Sequence, residues 1–315
     1  MSSLFGFGIE SVLKILNNSL LMSSIPKFTK KKKGKALIIE GGGMRGSFAG
    51  GVLSSMAPNY PPNKFDLIVA VSSGSCSSAY YVTESNPSSE EIERALDIWR
   101  KELAGNHLIS FWNLFRGKRI LDQDYLIDRI FQEKVPIKAE VLKQKKTVPF
   151  YIVVSNFKTL EPEYIRATSQ NLFPLLRAAT SLPIATKGYG LLENSKYTDG
   201  GVLDPIPVEA VLSAGYKDIT VILTKPMDFR LTPTNPLLGS LAFPKFPEMG
   251  KAFIEQRYRR YNRAMEILND PPKGIRFEII APEKTLPAGR MTTNANLLSE
   301  NVRLGIELGR KVFPK

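Results

Sequence analysis

Two apolar runs of strand length, ALII (36–39) and DLIVAV (66–71), are each followed at once by small residues that open a helix-like pattern. No other feature constrains the fold as much. After the first run comes EGGGMRG (40–46), leading into GSFAGGVLSSM; after the second comes SSGSCSSAY. An apolar run bounded by turn-forming residues reads as a strand covered on both faces. PFYIVVSN (149–156), DITVIL (218–223) and RFEIIAP (276–282) continue the series, the last two separated by a long helical segment. SSEEIERALDIWRKEL places Ser88 and Glu91 at capping-box spacing and sets Ile92, Ala95, Leu96 and Trp99 along one face. Strands alternating with helices predict an α/β class, a layered α/β/α fold with a largely parallel sheet.

Composition removes several kinds of chemistry. The 315 residues include one cysteine, Cys76, and one histidine, His107. No disulfide can close within the chain, and neither a Cys/His zinc site nor any other metal or cofactor is expected. A histidine general base would have to be His107, which lies in AGNHLISFW between apolar residues, where packing or hydrogen bonding is the expected role. Forty-three Lys and Arg against thirty Asp and Glu give a net charge of +13. Such an excess suits a polyanion, nucleic acid or an anionic membrane surface, and equally suits plain solubility.

The chain divides by pattern into three parts. In residues 1–34, Phe5, Ile9, Val12, Leu16 and Leu20 follow the spacing of one helical face, and a lysine-rich linker, PKFTKKKKGK, comes after them. Polar residues interrupt the apolar run too often for a membrane span, and no ordinary secretory signal is visible. An amphipathic helix beside a lysine cluster fits an anionic membrane surface; a helix packed on the domain with a solvated linker fits as well. Residues 35–225 hold the strand–helix alternation. Residues 226–315 begin with a proline-rich stretch (226–250) that reads as a long structureless loop, either a lid or a surface loop, and end in a helical extension packed on the same domain. The expected location is cytoplasmic or peripheral to a membrane, with export by a route lacking such a signal left open.

Three motifs carry chemistry. Gly41, Gly42, Gly43, Met44, Arg45 and Gly46 lie between a strand and a helix, where glycines free backbone N–H groups to face an anion. Gly41, Gly43 and Gly46 also satisfy Gly-x-Gly-x-x-Gly, but a dinucleotide site needs an acidic residue closing the second strand, and Asp66 opens it instead. Ala70-Val71-Ser72-Ser73-Gly74 is Gly-x-Ser-x-Gly with alanine in the first place, the pattern of a nucleophile elbow, and a serine-rich helix cap reads the same way. Asp199 is followed by Gly200 and Gly201, which let the chain turn sharply beside a carboxylate, as many plain turns do.

Taken together, EGGGMRG, the serine elbow and YTDGG preceded by LLRAATSLPIA resemble the patatin-like phospholipase family over roughly residues 35–225. RYNRAMEIL and PAGRMTTNANLLSENVRLGIELGRKV are similar to the tail of a bacterial subgroup. The resemblance implies a Ser-Asp dyad, with Ser72 as nucleophile, Asp199 as general base and residues 41–46 as the oxyanion hole. Ser73, one place away from the motif position, is the competing serine. Arg45 would anchor the loop or meet a lipid phosphate. The implied activity is hydrolysis of carboxylic esters in phospholipid or lysophospholipid at an anionic membrane surface. A catalytically weak lipid-binding protein on the same fold is the alternative. No nucleic-acid partner is expected, although RYRRYNR (257–263) interleaves aromatic and basic residues.

Overall fold

β1 (Lys35–Ile39) and β2 (Leu67–Val71) form where the apolar runs lie, and from Ala36 to Ile39 and across all of β2 every residue is buried. The computed structural model describes residue 28 and residues 34–84, 87–117 and 119–314. The proposed amphipathic helix and most of the lysine cluster lie outside these residues. β1 and β2 pair in parallel, and β3 (Phe150–Asn156) adds in parallel beyond β2. On the other side of β1 lie β7 (Asp218–Ile222) and then β8 (Arg276–Ile280), both parallel. The period of two sends Leu37 and Ile39 into one hydrophobic cluster and Ala36 and Ile38 into another across the sheet. Fully burying each of the leucine and isoleucine side chains is worth about 1.5–3 kcal/mol.

Helices cover both faces. α1 (Gly46–Met56), α2 (Ser73–Thr83) and α3 (Ser89–Asp97) follow β1 and β2, and with α4 (Leu172–Ala179) they pack into the first cluster. α5 (Val208–Ser213) fills part of the second. Ser88 and Glu91 make the expected capping box, and α3 runs on as a π-type turn, Ile98–Glu102. The layered α/β/α arrangement with a mostly parallel sheet is therefore present.

Three strands were not visible in the sequence. β4 (Pro162–Arg166) and β6 (Ser195–Asp199) carry polar residues and pair antiparallel with β3, and β5 (Gly190–Leu192), only three residues long, pairs antiparallel with β6, in the order β5–β6–β3–β2–β1–β7–β8 with β4 also on β3. The 226–250 stretch also departs from a structureless loop. It holds α6 (Pro236–Ala242), capped by Asn235, and the start of α7 (Pro247–Asn269). Two of its five prolines, Pro236 and Pro247, stand at first helical positions, where the missing N–H has no helical partner to lose. α8 (Ala295–Val312) lies across α1 at very close range: a Cβ on Gly305 would sit 2.1 Å from Phe48 O, and one on Gly51 would sit 2.3 Å from Val302 O.

Candidate active site

β2 ends at Val71 and α2 begins at Ser73, so the whole reversal from strand to helix falls on Ser72. Its φ is 53° and its ψ −131°. A non-glycine residue in such a region is strained by about 1–3 kcal/mol and persists only where its surroundings hold it. Here a fully buried strand precedes it and a fully buried helix follows. The strain projects Oγ away from both elements, which is the geometry of a nucleophile elbow.

Asp199 ends β6 and is held from three sides. Its N–H donates to Ser181 O at 3.1 Å, and its own carbonyl accepts from Ser155 Oγ at 2.9 Å. Ser181 belongs to the Ala-Thr-Ser-x-Pro segment, so that upstream motif fixes the aspartate's backbone. The carboxylate is fully engaged. Oδ2 accepts from Ser72 Oγ at 2.5 Å, and Oδ1 accepts from Gly201 N–H at 2.7 Å. Burial pushes this carboxyl up to about 6, against the opposing pull of those two hydrogen bonds and of Arg290 and Arg257. A carboxyl titrating there is ionised at neutral pH and yet basic enough to take a proton.

The glycine run begins beyond the carboxyl end of β1. Gly41 O accepts from Thr224 Oγ1 at 2.8 Å, and Gly42 N–H donates to Ser73 Oγ at 3.1 Å. Gly43 takes a φ of 58°, and a Cβ there would lie 2.5 Å from Arg290 O. Met44 is buried and its N–H donates to that same carbonyl at 3.0 Å; Arg45 is half-buried, and Gly46 opens α1. Four of the loop's N–H groups, those of Gly42, Met44, Arg45 and Gly46, thus already have protein partners. Among the described residues none is found for the N–H of Gly43, nor for that of Ser73 at the start of α2.

Ser72 and Gly43 stand where two cavities meet. One is apolar, about 1020 Å³ with its open mouth, and runs between α1, α2 and α3 past Leu53, Cys76, Tyr80 and Trp99. The other, about 790 Å³, is lined by Asp199 and by Arg45, Lys225, Arg257 and Arg290. Sequence reasoning missed this second cavity. It opens between the carboxyl ends of β1 and β7, the crevice where open parallel sheets hold their ligands. Lys225, just past β7, is paired with buried Glu40, just past β1. Of its basic residues the sequence singled out Arg45, beside the glycines, and gave Arg257 only as part of RYRRYNR.

Cys76 and His107 are both set aside by their surroundings. Burial pushes the Cys76 thiol up to about 12, too high for a thiolate nucleophile. His107 is exposed, stacks on Tyr125 at 5.8 Å and lines neither cavity.

A strained serine on a strand-to-helix turn, hydrogen-bonded to a buried carboxylate at the carboxyl edge of a parallel sheet, is the architecture of serine acyl hydrolases. The patatin-like phospholipase family matches residues 37–212, more than half of the chain, which therefore belongs to that family of lipid acyl hydrolases. A second family, described as a domain of unknown function (DUF6363), matches residues 246–315. The chain is also 25% identical over 284 residues to the uncharacterized protein YjjU of Escherichia coli (strain K12), covering 87% of this chain and 76% of that protein. Among solved structures, VipD from Legionella pneumophila aligns over 90% of this chain and 67% of its own, at 11% identity and a TM-score of 0.42. Among the described residues no helix is long and apolar enough to cross a membrane.

Proposed function

We propose that this protein hydrolyses carboxylic esters of phospholipids or lysophospholipids with Ser72 as nucleophile and Asp199 as general base. The observation that carries the reading is the 2.5 Å hydrogen bond from strained Ser72 to buried Asp199 at the junction of an apolar and a cationic cavity. The acyl chain lies in the apolar cavity and the alcohol side of the ester faces the other. Asp199 takes the proton as Ser72 Oγ bonds to the carbonyl carbon. The oxyanion is met by the N–H groups of the 41–46 loop that remain free, Gly43 foremost, together with the N–H of Ser73. Donors of this kind are worth about 2.7–4 kcal/mol each when removed. Asp199 returns the proton to the departing alcohol, leaving an acyl-serine. Water then gives a proton to Asp199, attacks the acyl carbon and releases the fatty acid, and the proton returns to Ser72 Oγ.

The partner surface is an anionic membrane. Phe111, Trp112 and Phe115 are exposed on a short segment beside Arg116 and Arg119, closed at its base by the pairing of Ile109 with Leu121. Those two base residues line the apolar cavity. Aromatic rings can sink into the headgroup boundary while arginines meet lipid phosphates.

The test is hydrolysis of a lysophospholipid and of a small soluble ester by wild type, Ser72→Ala and Asp199→Asn. Each variant is expected to lose activity by about a thousandfold or more while staying folded, because nucleophile and base act as a unit. Near wild-type turnover by either folded variant would overturn the assignment.

A further inference from the structure

The cationic cavity has a composition that ester hydrolysis alone does not require. Arg45, Lys225, Arg257 and Arg290 all line it, and Glu40 and Asp199 are the acidic residues in its wall. All four oxygens of those two carboxylates are taken. Glu40 Oε1 meets Lys225, and Glu40 Oε2 accepts from Thr224 N–H at 2.7 Å and Thr224 Oγ1 at 3.1 Å. Asp199 is divided between Ser72 and Gly201. Among the described residues, no carboxylate pairs with Arg45, Arg257 or Arg290.

Their hydrogen-bonding groups are correspondingly idle. Arg45 Nε is buried with no partner among the described residues. Arg257 is held through Nε, which donates to Gly201 O at 2.9 Å, so the rest of its guanidinium remains for a ligand. The charges also press on one another: burial, then Arg290, pushes Arg257 down to about 10, and burial with Arg290 lowers Arg45. A buried guanidinium with no acceptor forfeits the hydrogen bonds it had in water, a loss that an anion entering the cavity would reverse.

We infer that this cavity is a phosphate site, in which Arg257 and Arg290 grip the phosphate of a lipid whose headgroup carries no ammonium. The inference rests on the acyl-hydrolase reading, since it assigns the alcohol side of the substrate ester. It adds two residues from the segment after position 245 to the role considered for Arg45 and fixes the class of headgroup. A phosphate beside Ser72 lies where the glycerol side of the ester must go. Choline or ethanolamine would bring a second positive charge into a wall whose carboxylate oxygens are all engaged, so zwitterionic lipids are disfavoured. Arg290 lies between both cavities and its carbonyl holds Met44 N–H. The phosphate grip is thereby joined to the glycine loop.

Calorimetric binding to the full chain tests this without turnover, using probes of one chain length kept below their micelle concentrations. Dodecyl phosphate should bind about tenfold tighter or more than dodecylphosphocholine and than the uncharged dodecyl glycerol ether, as expected for hydrogen bonds to charged groups. Arg290→Gln, at an exposed position, should erase most of that preference, and Arg290→Lys should restore part of it. Arg257→Gln, with its melting temperature checked, should act in the same direction. Equal affinities for the three probes, or an unchanged preference in Arg290→Gln and Arg257→Gln alike, would overturn the inference. Inorganic phosphate binding as tightly as dodecyl phosphate would show a free-anion site and overturn the lipid assignment. Preferential binding of dodecyl phosphate by a protein that hydrolyses no ester would uphold the phosphate site and sink the hydrolase reading instead.

Discussion

Replacing Asp199 by Asn should make the protein more stable at neutral pH while removing its activity. The carboxyl is 2% exposed, and burial raises it from 3.8 to about 6 even after the hydrogen bonds from Ser72 and Gly201 and the nearby arginines are counted. That rise, at about 1.4 kcal/mol per pH unit, corresponds to roughly 3 kcal/mol of unfavourable free energy in the ionised folded state. Between about pH 4 and pH 6 the folded chain binds more protons here than the unfolded chain, so this group's contribution to stability falls as pH rises through that window and stays low above it. Asparagine is neutral and its Oδ1 can still accept from Gly201 N–H. Urea unfolding at pH 8 should therefore find Asp199→Asn more stable than wild type by up to roughly 3 kcal/mol, with the gap shrinking toward nothing near pH 4. Hydrolysis by the wild type should decline as pH falls through the same window, with half its maximum near the value of about 6, since the base must be ionised. A variant no more stable than wild type at pH 8, or a gap that ignores pH, would refute the reasoning.

Further outcomes follow from the loop, the crevice and the surface. Gly43→Ala should lower kcat by about tenfold or more with a smaller effect on KM, because φ is positive there and a Cβ would collide with Arg290 O; steady-state kinetics on a soluble ester decide it, and unchanged kcat would remove Gly43 from the oxyanion site. Lys225→Met should destabilise the protein by about 3–5 kcal/mol in urea unfolding, since it strands Glu40 as a lone buried charge, and adding Glu40→Gln should recover much of the loss. Phe115→Ala, at a ring 85% exposed, should leave the melting temperature unchanged and weaken co-sedimentation with anionic vesicles, by an amount that equal binding of both forms would disprove.

The parallel strands were legible because both their faces are buried, which leaves unbroken apolar runs such as LIVAV. β6 was not, because SKYTD has polar residues at four of five positions and belongs to the sheet through its pairing with β3. Ser72 and Asp199 could be singled out because small residues beside each mark the turn it needs. The cationic cavity left no such local mark. Glu40, Lys225, Arg257 and Arg290 meet only because the β1–β7 pairing and the α7 contact fold distant segments onto one crevice. Arg257 in particular reads as one more charge in a basic helix, and nothing in RYRRYNR distinguishes it, turned into the cavity, from Arg260, paired with Glu161, or from exposed Arg259.

The close crossing of α1 and α8 has a consequence for synthesis. The glycine loop runs directly into α1, whose seat is α8; Asn301 on α8 also ties Ser47 of α1 to the Ala288 backbone beside Arg290. A ribosome that has reached residue 290 has already translated the serine, the aspartate and every glycine of the loop. The nascent chain still lacks the surface against which α1 rests. A chain cut short before residue 295 would hold Ser72 and Asp199 beside a glycine loop whose following helix has no seat.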